Sequence, residues 1–125
     1  MTAQLNHTIV EATDKREAAT FFAEILGLPD PQAYGPFLVL QTGNDVSLDF
    51  IEAQGPVHPQ HYAFLVSDDE FDEVLGRIKE RGLPYWADPF HGRPDEINRN
   101  DGGRGVYWAD PNGHNLEIIT RPYGG

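Results

Sequence analysis

Two histidines and two carboxylic acids stand at equivalent places in two similar stretches of the chain. His7 opens His7-Thr-Ile-Val-Glu-Ala12, and His61 opens His61-Tyr-Ala-Phe-Leu-Val66. Asp49 sits within Val46-Ser-Leu-Asp-Phe-Ile-Glu52, and Glu117 within Leu116-Glu-Ile-Ile-Thr120. His7 precedes Asp49 by 42 positions and His61 precedes Glu117 by 56. An insertion in the second copy accounts for the difference, so the duplication maps Asp49 onto Glu117. Carboxylates gathered on one buried face lose hydration and repel each other, and a divalent cation removes both costs. Two imidazoles with one or two carboxylates suit Fe(II), Ni(II), Co(II), Mn(II) or Zn(II). There is no cysteine, which excludes disulfides, thiolate nucleophiles and zinc–thiolate sites.

Each copy reads as a strand, a helix and a stop. The first helix is predicted to open at Thr13 or Asp14, with Glu17 as the capping-box partner of Asp14. Its apolar face is Ala18, Phe22, Ile25 and Leu26. Gly27 and Pro29 end it. The second opens at Ser67 with Glu70, carries Phe71, Val74, Leu75 and Ile78 on one face, and ends at Gly82 and Pro84. Strands are predicted at 36–41 and 46–52, and at 105–109 and 116–120. Thr42-Gly-Asn-Asp45 and Asp110-Pro-Asn-Gly113 supply the turns between them. Short runs at 30–34 and 84–87 add one strand to each copy, and 90–104 reads as an exposed loop, either a lid or binding loop or a merely flexible one. The expected fold class is α+β, two βαβββ modules at about 1–55 and 58–125 in one domain.

Strand alternation sorts the side chains. His61 opposes Tyr62, Phe64 and Val66; Glu117 opposes Leu116 and Ile118; Asp49 opposes Val46, Leu48 and Phe50. The first strand sorts less cleanly, because Leu5 and Ile9 share the parity of His7. Glu52 has the parity of Leu48 and is the poorer candidate.

Composition narrows the partners. The chain has 125 residues and a net charge of −11, which disfavours nucleic acid and anionic membranes. No run approaches the roughly 20 apolar residues of a membrane helix. Residues 1–10 lack a basic segment followed by an apolar run, so a cytoplasmic protein is expected.

Leu5-Asn-His-Thr-Ile-Val10, the helix end Ile25-Leu-Gly-Leu-Pro29, His61-Tyr-Ala-Phe-Leu-Val66 and Tyr107-Trp-Ala-Asp-Pro-Asn-Gly-His-Asn-Leu-Glu-Ile-Ile119 together resemble the vicinal oxygen chelate superfamily. That superfamily includes glyoxalase I, type I extradiol dioxygenases, fosfomycin-resistance enzymes and bleomycin-binding proteins. The resemblance implies a cupped mixed sheet with helices on its outer face and a metal in the concavity. It implies His7, His61 and Glu117 as metal ligands. Asp49 stands at the fourth position, as a ligand or a proton-transfer group. It is one methylene shorter than the glutamate usual in glyoxalase I.

The implied function is a metal-dependent lyase, isomerase or Fe(II) dioxygenase that chelates two neighbouring oxygens of a small substrate. The alternative is a metal-free protein that sequesters a drug. A homodimer is implied as well. Trp86 and Trp108 read as cavity-wall or packing aromatics within reach of substrate, and Arg104 as a group able to orient an anionic one. His58, His91 and His114 read as solvated loop or turn residues, with the parity of His114 directing it away from the site.

Overall fold

The computed structural model describes residues 2–122, which form two compact units divided between residues 58 and 59. Unit 1 contains β1 (His7–Ala12), α1 (Lys15–Leu26), β2 (Gln32–Tyr34), β3 (Phe37–Gln41) and β4 (Ser47–Glu52). Their order in the sheet is β1-β4-β3-β2, with β1 and β4 parallel and the remaining pairs antiparallel. Helix α1 starts where Asp14 accepts hydrogen bonds from the Arg16 and Glu17 amides. It ends at Gly27, whose φ of 71° is a left-handed conformation that glycine adopts without a Cβ penalty. The helix buries Ala18, Ala19, Phe22, Ala23 and Ile25 against Val10, Leu38, Leu40, Leu48 and Phe50. Phe22 meets Phe50 edge-on at 4.9 Å between ring centroids. Each such large apolar side chain contributes about 1.5–3 kcal/mol by leaving water.

Unit 2 contains β5 (His61–Leu65), α2 (Asp68–Glu80), β6 (Gly105–Ala109) and β7 (Asn115–Ile119), with the sheet order β5-β7-β6. A full capping box forms at α2: Ser67 Oγ accepts from the Glu70 amide, and Glu70 Oε1 accepts from the Ser67 amide. Phe71, Val74 and Ile78 of the helix are buried, as are Val106, Trp108, Leu116 and Ile118 of the sheet.

The architecture is mixed α+β, with two small mixed sheets and two helices. Two expectations need correction. Residues 84–87 do not form a strand, because only Trp86 pairs, as isolated bridges to Tyr107 and Pro94. The segment 90–104 is not merely an exposed loop. Asn98 is buried, pairs with Gly105 and donates from Nδ2 to the Ala87 carbonyl, which pins the segment to β6. Among the described residues no helix is long and apolar enough to cross a membrane.

Candidate functional site

Strand register in unit 2 places the candidate residues on the sheet face opposite the buried apolar side chains. Ala63, Glu117, Tyr107 and Trp86 form one cross-strand row, and His61, Asn115 and Ala109 form the next. His61 Nε2 lies 3.1 Å from Glu117 Oε1. Its Nδ1 lies 2.8 Å from the Asn115 carbonyl, which can only accept, so Nδ1 carries a proton and donates it. Tyr107 stacks on the His61 ring at 5.9 Å between centroids.

This pair fits a cation. The Glu117 side chain is only 4% exposed, and among the described residues His61 Nε2 is its one polar partner. A carboxylate removed from water with a single contact is poorly compensated. Nδ1–H is already committed, so a neutral His61 ring directs a lone pair from Nε2 towards the carboxylate oxygen. A shared cation converts that repulsion into coordination. The bond from Nδ1–H to a main-chain carbonyl is the outer contact that orients metal-binding histidines. Within unit 2, no third His, Asp or Glu among the described residues joins the pair to complete a metal cluster.

Unit 1 presents the corresponding face. His7, Ile9 and Glu11 of β1 lie opposite Ser47, Asp49 and Ile51 of β4. Ile9 and Leu5 are 51% and 68% exposed, so their shared parity with His7 puts apolar side chains on the open face, not His7 in the core. His7 Nδ1 is 2.7 Å from Asn6 Oδ1, which can only accept, so Nδ1 donates as it does in His61. Asp49 is half-buried and accepts from Ser47 Oγ at 3.0 Å. Asn6, His7, Ile9, Ser47 and Asp49, with Tyr34, Phe37 and Val39, line a pocket of about 540 Å³.

Trp86 lies in the row of Glu117. Trp108 does not: it is fully buried on the opposite face, so its expected contact with substrate is replaced by core packing. Its Nε1 is buried without a hydrogen-bond partner among the described residues. Arg104 is also not brought to the pair. Its guanidinium bonds Asp72 at 2.7 Å and Asp68 at 3.3 Å and lies over the Phe71 ring at 4.4 Å. The Asp72 hydrogen bond raises its already high pKa; desolvation opposes this, and the Asp72 charge and the Asp68 hydrogen bond and charge add to the rise, so it stays cationic.

Two histidines expected to be solvated are held in place. His114 is fully buried, accepts the Gln60 amide at Nδ1 and meets Tyr62 edge-on, though it does face away from Glu117. His91 stacks flat on Trp86, 3.7 Å between centroids at 5°, and bonds Asn115. Nothing in local sequence spacing marks His91, because its partners are set by sheet register. His58 is exposed, as expected, and bonds Glu11.

Residues 4–118 match the family model described as the glyoxalase/bleomycin resistance protein/dioxygenase superfamily. The solved structure of Oxidase ChaP-H1 is 68% identical, with a TM-score of 0.97, over 99% of this chain and 100% of that one. Oxidase ChaP-H2 is 63% identical, with a TM-score of 0.96, over 100% and 98%. Glutathione transferase FosA of Serratia marcescens is 31% identical over 124 residues, which is 94% of this chain and 81% of the relative.

Proposed function

The chain belongs to the glyoxalase/bleomycin resistance protein/dioxygenase superfamily, the vicinal oxygen chelate proteins, and on that premise we propose that it is a metal-dependent oxidase of a small substrate bearing two neighbouring oxygens. The observation that carries this reading is the His61–Glu117 pair, with Nε2 and Oε1 3.1 Å apart and Nδ1–H already committed. The extent of identity with two proteins named as oxidases favours oxygen chemistry over the lyase and isomerase alternatives. Two histidines and one carboxylate form the donor set associated with non-haem Fe(II).

In this reading His61, Glu117 and His7 hold the metal. A ferrous ion bound there supplies Lewis acidity towards the substrate oxygens and electron exchange with dioxygen. Glu117 contributes negative charge from a desolvated position, where it acts more strongly than in water. Asp49, steadied by the Ser47 hydroxyl, accepts a proton from a substrate hydroxyl. Trp86 and Tyr107 wall the substrate from the Glu117 row. In this reading the protein works in the cytoplasm as a homodimer.

The test is anaerobic loading with Fe(II), metal analysis, and dioxygen uptake on adding a catechol. Equimolar iron and uptake that disappears in Glu117→Gln are expected. Iron-loaded protein that consumes no dioxygen but adds glutathione to an epoxide with Mn(II) would move the assignment to the transferase named for the FosA relative. Tight drug binding with no metal and no turnover would move it to sequestration.

A further inference from the structure

The Asn115 side chain is tied at both ends. Its Nδ2 donates to the Pro89 carbonyl at 3.1 Å, which turns Oδ1 towards His91 Nε2 at 2.9 Å. Oδ1 only accepts, so His91 carries its proton on Nε2. His91 touches Trp86 in the Glu117 row and Asn115 in the His61 row, so its ring lies over the face that bears the metal pair.

Reaching that place is costly for the backbone. His91 has a φ of 60°, in the left-handed region that a residue with a Cβ rarely enters. The loop around it is closed by Asp88, whose carboxylate accepts the Gly92 and Arg93 amides and whose carbonyl accepts the His91 amide.

We propose that His91 is a positioning residue that holds the Asn115 amide away from Glu117, keeping the His61–Glu117 pair open for its cation. The proposal rests on the metal reading above. Asn115 and Glu117 are two residues apart on one strand face, a spacing of about 7 Å that an amide and a carboxylate can bridge. Without the His91 bond that fixes its Oδ1, the Asn115 amide can turn off Pro89 and its NH2 can donate to the Glu117 carboxylate, whose one polar partner among the described residues is His61 Nε2. That bond competes with metal binding. His91 thus acts through Asn115 and touches neither ligand.

The test is a Co(II) titration of wild type, His91→Phe, His91→Gln and the double variant His91→Phe/Asn115→Ala, read by visible absorbance. Removing an outer contact of a metal site weakens binding about tenfold, the effect expected for His91→Phe. His91→Gln keeps an N–H donor and should retain affinity. The double variant should recover affinity, because no amide remains to fold back; a loop role alone gives no such recovery. In the metal-free wild type, nitrogen-15 NMR should show His91 as the Nε2–H tautomer and slow exchange of the Asn115 NH2, lost in His91→Phe. An Nδ1–H tautomer, or a double variant as weak as His91→Phe, overturns the proposal. If wild type takes up neither Co(II) nor Fe(II), the metal reading fails, and the NMR result alone decides whether His91 holds Asn115.

Discussion

At the residue scale, Glu117 is defined by what it lacks. A carboxylate 4% exposed, with one imidazole as its polar partner among the described residues, is poorly compensated in the metal-free chain and is available to a cation. Glu117→Gln should therefore abolish tight metal binding while leaving the metal-free protein as stable as before, or more so by roughly 1 kcal/mol. Denaturant midpoints with and without Fe(II) check this; a metal-free variant that unfolds far more easily contradicts it. Trp108 is the opposite case, a large side chain whose worth is packing. Trp108→Ala should cost about 3–5 kcal/mol in unfolding free energy. Trp108→Phe also removes the unpartnered Nε1 and should cost much less.

At the element scale, the start of α2 and the loop before β6 depend on carboxylates that accept main-chain amides. The bond from the Ser67 amide, and then the Ser67 hydroxyl contact, hold the Glu70 pKa below its ordinary value, against a small burial effect. A lowered folded pKa gives stability above the unfolded value, and that stability is lost as pH falls through the folded one. Glu70→Gln should thus cost a few tenths of a kcal/mol at neutral pH, because the site is exposed, and nothing near pH 3. Paired urea titrations at the two pH values measure the difference. Asp88 follows the same sign: the Gly92 amide, opposed in part by desolvation, lowers its pKa. The Gly92 amide resonance should accordingly titrate below the ordinary aspartate value of about 3.9. Arg104 joins the start of β6 to α2 through Asp68, Asp72 and Phe71. Arg104→Ala should lower stability by about 1 kcal/mol and leave kcat/KM unchanged. A fall in kcat/KM at unchanged stability would return Arg104 to substrate binding.

At the scale of the whole molecule, a net charge of −11 on 125 residues stores self-repulsion in the folded state. Raising NaCl to about 1 M shortens the screening length to roughly 3 Å and should raise Tm by a few degrees. Calorimetry over a salt series tests it, and a flat or falling Tm would show that local ion pairs such as Arg104 with Asp72 outweigh the global field. The duplication is the other whole-chain property. His7 and His61 both donate Nδ1–H to a neighbouring oxygen, one to the Asn6 side chain and one to the Asn115 carbonyl. Two local solutions thus give one tautomer at equivalent places.

The sequence by itself determined the two helices, the hairpins that follow them, and the faces of Asp49, His61 and Glu117. These follow from short-range rules, namely caps, turn residues and alternation along a strand. Leu5 and Ile9 obscured the face of His7, because alternation tells which side chains share a face but not whether water covers it. The tertiary structure alone decided that Trp108 belongs to the core, that Arg104 is claimed by α2, and that His91 stacks on Trp86 and bonds Asn115 on the sheet face that carries His61 and Glu117. Each of those outcomes depends on which strand or helix arrives from a distance to become the partner, and the spacing of residues along the chain does not encode that choice.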